Sequence, residues 1–351
     1  MNRILFFLLF ILLLAGCGSK TVPEENKPAP EDSMPAPENS EIYEYFPFTE
    51  NTLYQYAGEG HEYAAYQTYN TFINDNRLQR RIATDVKTYD RQTEIFEVSA
   101  GELRLINGDT FYYHFENQTA DEPQKNMVLL KEPLELGAKW NITETDTAEV
   151  TGVDVDVQTP LGNYKALEIT SISANGFNQK DYYVKNVGLV KTTYTTTNNE
   201  TPITSSLSAI TEDTHIMCDY NSFFPIPGTG ELSFYEDEVE IRSNYDVIGK
   251  LNEILSKPSP DGLYGALLGT GSLVEINFAT NTSAVRLNFD AEIYEMEFSA
   301  EVDEEANLYA LALTTGRLLG VEQVFIFVDG KPYSGTFVTK TEDDGYLTKL
   351  E

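Results

Sequence analysis

Two cysteines and three histidines are the side chains of this sequence best suited to nucleophilic or metal chemistry. They are Cys17, Cys218, His61, His114 and His215. No histidine has a second histidine four residues away, and the motifs of serine hydrolases, zinc proteases and P-loop enzymes are absent from the sequence. His215 and Cys218 could begin a zinc site, but two further ligands are missing. We therefore expect no catalytic residue, no metal and no cofactor.

Cys17 stands at the end of a strongly apolar N-terminus. Arg3 supplies a positive charge, residues 4–14 form an unbroken apolar run, and the small residues Ala15 and Gly16 precede the cysteine. This layout is typical of a secretory signal peptide with its cleavage site, and the run is too short for an ordinary membrane-spanning helix. The alternative is a plain signal peptide followed by a chance cysteine.

The residues Leu14, Ala15, Gly16 and Cys17 resemble the lipobox of bacterial lipoproteins. The resemblance implies that signal peptide 1–16 is removed and that the thiol of Cys17 is acylated, for example with palmitate. The mature chain would then be held by lipid at the extracytoplasmic face of the cell membrane. With Cys17 used in this way, Cys218 has no partner for an intramolecular disulfide.

The composition favours an acidic, solvated body on a flexible tether. A net charge of −32 repels nucleic acid and anionic headgroups, so we expect no nucleic-acid partner. Residues 17–41 contain five prolines and the near repeat PAPEDS and PAPENS. Such a segment is expected to be extended and disordered, with a reach of about 70 Å.

Residues 42–212 read as an all-β domain. Short runs rich in Tyr, Val, Ile and Thr alternate polar and apolar residues and are separated by turn signals. This pattern predicts a curved antiparallel sheet, closed or half-closed as a barrel or clam. Four phrases resemble a β-rich extracytoplasmic domain of lipoproteins from low-GC Gram-positive bacteria, for which no activity is implied. They are YFPFTENTLYQY (45–56), LLKEPLELGAKW (129–140), TPLGNYKALEI (159–169) and YYVKNVGLVK (182–191).

The C-terminal part has a different pattern. Pro and Gly punctuate residues 213–230, which we interpret as a linker. Helical periodicity then occurs at 245–257 and 303–319, between alternating strands. The order βαββαβ predicts an α+β domain at 231–340 with both helices on one face of a small sheet, followed by an acidic tail at 341–351. The segment 293–298 could be an extra strand or a short helical turn.

Several phrases of this C-terminal part carry a family resemblance. They are Leu251, Leu255 and Pro258 at the end of the first helix, GSLV (271–274), the strand at 285–289, the helix residues at 310–315, and GV at 320–321 with VFIFVDGK (324–331). Together they resemble the GerMN domain of spore-germination and sporulation proteins. The sequence departs from that family at 287–290 and at Lys257. The resemblance implies an assembly or interaction module rather than an enzyme.

The closing strand contains the candidate interaction residues Phe325, Ile326 and Phe327. Strand side chains alternate, so Phe325 and Phe327 share one side of the sheet and Ile326 faces the other. Both sides are apolar, whereas the helices cover only one. We therefore expect the uncovered side to be closed by the N-terminal domain, by the segment 293–298 or by a partner protein.

Three functions remain open. The leading hypothesis is a lipid-anchored, non-catalytic envelope protein that binds other envelope proteins or itself, in sporulation or germination. The second is a binder of cell-wall polysaccharide or peptide, because many of the 22 tyrosines could stack on sugar rings or line a groove. The third is an envelope hydrolase with scattered catalytic residues. Acidic groups at 154–156, 236–238 and 342–344 could hold calcium, although none has EF-hand spacing.

Overall fold

The computed structural model describes most of the chain after its N-terminal segment. The described residues are 40–61, 64–84, 91–109, 115–174, 176, 178–195, 201–279 and 283–349. Leu14, Ala15, Gly16, Cys17, most of the tether and His114 lie outside them. In the described part, none of the helices has the length and apolar character needed to cross a bilayer.

Twelve antiparallel strands build one sheet in the N-terminal half. Its spatial order is β6-β5-β4-β3-β2-β1-β12-β11-β10-β9-β8-β7. The strands are β1 Leu53–Glu59, β2 Tyr66–Ile73, β3 Arg77–Ala83, β4 Arg91–Ser99, β5 Glu102–Asp109, β6 Met127–Lys131, β7 Lys139–Asn141, β8 Thr147–Gln158, β9 Asn163–Ile172, β10 Asn178–Val184, β11 Gly188–Thr195 and β12 Ile203–Thr211. The predicted curved antiparallel sheet is confirmed.

The two edges of this sheet meet, so that the sheet nearly closes into a barrel. The backbone N–H of Val128, in edge strand β6, donates to the carbonyl of Ile142 just after edge strand β7, at 3.1 Å. The indole Nε1 of Trp140 in β7 donates to the carbonyl of Val128 at 2.9 Å. These two hydrogen bonds cover part of each sheet edge, and a covered edge is less open to unwanted strand pairing.

A short helix closes one end of the barrel. Helix α1, Ile42–Tyr45, touches three turns at that end. Ser40 Oγ donates to Glu132 at 2.8 Å, Tyr43 donates to the carbonyl of Asp75 at 3.1 Å, and the carbonyl of Glu44 accepts from the backbone N–H of Asn186 at 2.6 Å. The side chains of Ile42 and Phe46 pack into the apolar core below.

The residues interpreted as a linker form a strand instead. Strand β13, Ile216–Pro225, pairs along its whole length with β14, Leu232–Ile241, in a separate two-stranded sheet. Cys218, Tyr220 and Phe223 of β13 belong to the C-terminal core. The prediction of a linker at 213–230 is therefore wrong. The apolar residues of this segment form a strand that is buried against the module that follows.

The C-terminal module combines two helices with a mainly antiparallel, five-stranded sheet. The helices are α2 Val247–Leu255 and α3 Glu301–Leu319. The strands are β15 Leu273–Phe278, β16 Ala284–Phe289, β17 Gln323–Val328, β18 Lys331–Pro332 and β19 Tyr346–Leu347. Strands β16 and β17 run parallel. The predicted α+β class is confirmed, although the first strand of the βαββαβ order belongs to the separate hairpin. The uncertain segment 293–298 overlaps the end of a 3₁₀ turn, Ala291–Glu295. Within the predicted acidic tail at 341–351, strand β19 pairs with β17.

The two modules are joined through β2. The carbonyl of Thr71, at a bulge in this strand, accepts from the backbone N–H of Asn244, and the side chain of Asn244 accepts from the N–H of Ile73 at 2.7 Å. The rings of Phe72 and Tyr245 stack with centroids 5.8 Å apart. A bulge releases backbone groups from the ladder, and here those groups hold the C-terminal module.

Candidate functional site

The closing strand is the first predicted site to compare with the structure. Ile326 and Phe327 are 3% and 7% exposed, while Phe325 is half-buried. The guanidinium of Arg286 lies over the ring of Phe327, 5.2 Å from its centroid. Both faces of the strand are therefore largely covered by this chain, which argues against a contact through Ile326 or Phe327. The contact role of the strand stays a prediction.

The other chemically versatile residues do not come together. His215 lies 3.5 Å from Glu240 at the surface, Cys218 is buried, and His61 lies in the turn after β1. No group of three or more His, Cys, Asp and Glu side chains within the described ranges is arranged to hold a metal ion. Within those ranges, the acidic groups at 154–156, 236–238 and 342–344 therefore form no metal centre.

Charged side chains do meet inside the barrel. Arg80 on β3 lies on the same strand face as Leu78, which is fully buried in the apolar core. Its guanidinium lies over the rings of Phe46 and Phe96, with centroid distances of 4.5 and 5.2 Å. Its Nε donates to Asn70 Oδ1 at 3.1 Å. Two aromatic rings and one amide therefore fix the plane of this cation.

Glu94 on β4 is the residue directly opposite Arg80 in the strand pair. Both side chains are half-buried, yet no ion pair within 4.0 Å joins them. Within the described part of the chain, the carboxylate of Glu94 accepts no hydrogen bond and the two Nη atoms of Arg80 donate none. Burial raises the pKa of Glu94, and the positive charges of Arg80 and Lys125 oppose this rise. Two opposite charges therefore face the interior with free hydrogen-bonding capacity.

Asp181 brings a second carboxylate into the interior from β10. It accepts hydrogen bonds from Thr192 Oγ1 at 2.7 Å and from Gln179 Nε2 at 2.8 Å. Burial raises the pKa of Asp181 despite these bonds. Burial likewise raises the pKa of Tyr66 well above its usual value, and the charge of Asp181 contributes to the rise. The charge of Asp181 therefore bears on a tyrosine of β2, a strand that lies four strands away from β10 in the sheet order.

Tyrosine side chains also lie in the barrel interior, near these charges. The rings of Tyr56 and Tyr66 stack with centroids 4.5 Å apart and planes 17° from parallel. The hydroxyl of Tyr56 donates to the carbonyl of Leu189 at 2.9 Å. Burial also raises the pKa of Tyr183, with Asp181 next in importance among the causes. We call the set Arg80, Glu94, Asp181, Tyr56, Tyr66 and Tyr183 the barrel chamber.

The two ends of the chamber differ. Phe46, directly after α1, closes one end through its contact with Arg80. Toward the other end, Ser205 Oγ donates to the carbonyl of Ala64 at 2.7 Å. The loop at Ala64 crosses so close to Gly58 that a Cβ atom there would overlap the backbone of Ala64 and Ala65. Glycine at position 58 is therefore required for this loop to lie against the barrel.

Sequence reasoning did not identify the chamber. Arg80, Glu94 and Asp181 lie in strands with several polar residues, and a charged residue in such a strand normally faces water. The signal was a charged residue in phase with the apolar face, since Leu78 and Arg80 are two residues apart. This phase became visible only with the strand register, because pairing decides which side of each strand is inside.

Comparisons with solved structures give distant similarities. A candidate exported protein with a YmcC-like fold from Bacteroides fragilis is 12% identical over 48% of this chain and 99% of its own, with a TM-score of 0.31. The tandem GerMN domains of the sporulation protein GerM from Bacillus subtilis are 17% identical over 36% of this chain and 47% of that chain, with a TM-score of 0.24. Scores this low do not establish a shared fold, so the GerMN resemblance is not confirmed by them.

No curated protein matches the chain. The clearest match is that of the N-terminal segment. Residues 1–17 match the model of the prokaryotic membrane lipoprotein lipid attachment site. This segment ends at Cys17, the residue expected to be acylated. The chain therefore carries the attachment site of a prokaryotic lipoprotein, which implies that it is anchored to a membrane by lipid.

Proposed function

We propose that this protein is a lipid-anchored protein of the cell envelope that binds a small polar ligand in its barrel without transforming it. The observation that carries the proposal is the barrel chamber, where Arg80 and Glu94 face each other across two strands without pairing. Charges in a partly desolvated interior are normally paired, because desolvation is costly. A ligand that supplies both missing partners would offset that cost. This proposal develops the cell-wall binding hypothesis of the sequence.

Anchorage determines where such binding would take place. The attachment site ends at Cys17, and the folded body begins at Ser40, which contacts the barrel end closed by α1. The segment between them joins the body to the anchor, which would place binding at the extracytoplasmic face of the membrane. A Gram-positive origin and a role in sporulation or germination rest on sequence resemblance alone and stay predictions.

Thermal denaturation of the full lipidated chain in detergent tests the proposal. Separate panels would contain free amino acids with short peptides, and mono- and disaccharides. A ligand that binds only the folded state stabilises it by about 2.7 kcal/mol at 100 times its Kd. We expect one panel to raise the melting temperature and the ligand to be recovered unchanged. No rise with any compound would contradict binding, and a chemically altered ligand would contradict the non-catalytic role.

A second function, protein association through the C-terminal module, is favoured by one feature. Phe337 and Tyr294 are large side chains with 46% and 39% exposure. They belong to one surface, because Tyr294 accepts a hydrogen bond from the backbone N–H of Ser334, in the loop that carries Phe337. Aromatic side chains are enriched in protein–protein interfaces relative to the rest of the surface. This feature supports the assembly hypothesis at a place other than β17.

Sedimentation velocity of the full chain tests this second function. We expect self-association that Phe337→Asp abolishes and that Leu136→Asp leaves intact. Leu136 is a suitable control because it is 69% exposed on the barrel. A monomeric wild-type chain, or equal loss in both variants, would contradict self-association through this loop.

A further inference from the structure

We infer that the ligand of the barrel chamber carries a carboxylate and an amino group a few ångströms apart, as in a free α-amino acid or the end of a short peptide. This inference rests on the proposed function and names the chemical class of its ligand. It depends on four features of the chamber: the oriented guanidinium of Arg80, the carboxylate of Glu94 without a partner among the described residues, their spacing, and the tyrosines beside them.

Arg80 is prepared to bind an anion. Phe46 and Phe96 hold the plane of the guanidinium, and Asn70 occupies its Nε. The Nη atoms keep their donors, and the side chain is half-buried rather than sealed. A planar guanidinium binds a carboxylate through two parallel hydrogen bonds, which a neutral hydroxyl cannot match in strength. The free fork of Arg80 therefore selects a carboxylate.

Glu94 selects a positively charged group on the ligand. Directly opposed residues of an antiparallel pair have Cβ atoms about 5 Å apart. Arg80 and Glu94 are such a pair, so a ligand that touches both must carry its acceptor and its donor close together. An α-amino acid has this spacing. Its ammonium group would donate to Glu94 while its carboxylate accepts from Arg80.

The surroundings strengthen this selection. The Tyr56–Tyr66 stack offers an aromatic wall, and the low dielectric of the interior strengthens charged hydrogen bonds relative to neutral ones. Asp181 adds a second negative charge on the far side. A sugar could bond to the same groups through hydroxyls, but it would supply no opposite charge to either of them. The geometry therefore favours the zwitterion over the sugar.

The opposite face of the same strands provides a matched control. Arg77 and Glu97 are also directly opposed on β3 and β4. They form a complete ion pair, with Nε and Oε2 2.7 Å apart. A variant of this pair alters the same two strands and the same residue types without removing a charge from the chamber.

Isothermal titration calorimetry of the full lipidated chain in detergent is the decisive experiment. The probes are individual free amino acids, their N-acetyl and amide derivatives, and the saccharide panel. We expect at least one free amino acid to bind, and each derivative to bind more weakly by on the order of tenfold to a hundredfold, as for a lost charged hydrogen bond. Glu94→Gln and Arg80→Gln should cause similar losses, whereas Glu97→Gln should leave the affinity unchanged.

The outcomes separate the inference from the proposed function. Binding of a saccharide that is weakened by Glu94→Gln, with no binding of amino acids, would overturn the ligand class and keep the chamber as a binding site. Equal affinity for an amino acid and its derivatives would also overturn it, even if Arg80→Gln failed to fold, because that comparison uses the wild-type chain. Absence of binding by every probe would overturn both proposals.

Discussion

The carboxylate of Glu304 on α3 lies directly against Gly335, so that a Cβ atom on that glycine would overlap Oε1. Glu304 is fully buried. Its oxygens accept hydrogen bonds from the hydroxyl of Tyr333 at 2.8 Å and from the backbone N–H groups of Thr336, Phe337 and Val338 at 3.0, 2.6 and 3.2 Å. One buried charge thus fixes the loop that presents Phe337, with donors in place of a cation.

We predict that Gly335→Ala destabilises the C-terminal module by about 1–3 kcal/mol, the usual cost of forcing extra atoms into a packed site. The added methyl would displace the carboxylate of Glu304 from its donors. Urea denaturation followed by circular dichroism measures this change. Gly265→Ala is the matched control, because nothing lies within 4 Å of its position. Equal stability of the two variants would show that the loop accommodates the added methyl group without loss of stability.

The second prediction concerns two carboxylates on adjacent strands whose pKa values shift in opposite directions. Burial would raise the pKa of Glu168, but hydrogen bonds from Thr151, Lys180 and Tyr182 outweigh it and hold the pKa below its ordinary value. Glu168 therefore stabilises the fold above its ordinary pKa, and this contribution is lost as the pH falls. The raised pKa of Asp181 means that its ionisation destabilises the fold as the pH rises above about 4.

Denaturation midpoints of Glu168→Gln and Asp181→Asn between pH 4 and 8 distinguish these signs. Relative to wild type, we expect Glu168→Gln to lose stability at neutral pH and to lose less toward acid pH. We expect Asp181→Asn to gain stability at neutral pH, with the gain shrinking toward pH 4. Parallel pH profiles for the two variants would contradict the assignment of opposite shifts.

The third prediction follows from β13. A fragment of residues 213–351 should unfold cooperatively, whereas residues 231–351 should not. The shorter fragment lacks Cys218, Tyr220, Phe223 and Phe224, all buried in the C-terminal core, and it leaves Thr314 Oγ1 without the backbone donor of Phe223. Thermal melts of both fragments by circular dichroism provide the comparison. A sharp, equally stable transition of the shorter fragment would show that β13 is dispensable.

The fourth prediction concerns the anchor. Cys17→Ser should abolish incorporation of a radiolabelled fatty acid and cleavage before residue 17, because the acylated thiol is lost. Cys218→Ser is the control, since Cys218 is buried in the C-terminal core and should not affect labelling. A Cys17→Ser chain that still carried the label, or was cut at the same bond, would contradict lipidation at Cys17. Retention of the uncleaved signal peptide in the membrane would be compatible with it.

Local sequence patterns were sufficient for the anchor and for the type of each half. The attachment site was readable because signal, small residues and cysteine are contiguous. The antiparallel barrel and the α+β module followed from hydrophobic periodicity, which depends on neighbours two to four residues away. Strand β13 was missed because the Pro and Gly residues around it suggested a linker. A turn separates β13 from β14, so the pairing of the two strands was not recognised.

Tertiary structure alone decided the surfaces and the site. The sequence shows that Ile326 and Phe327 are apolar, but only packing shows that this chain covers them. It shows Arg80, Glu94 and Asp181 as separate charges, up to about a hundred residues apart, and closure of the sheet brings them together. Local propensity is set by near neighbours along the chain, whereas a chamber is set by register and closure between distant strands. The anchor can therefore be predicted from the sequence, whereas the chamber can be identified only from the fold.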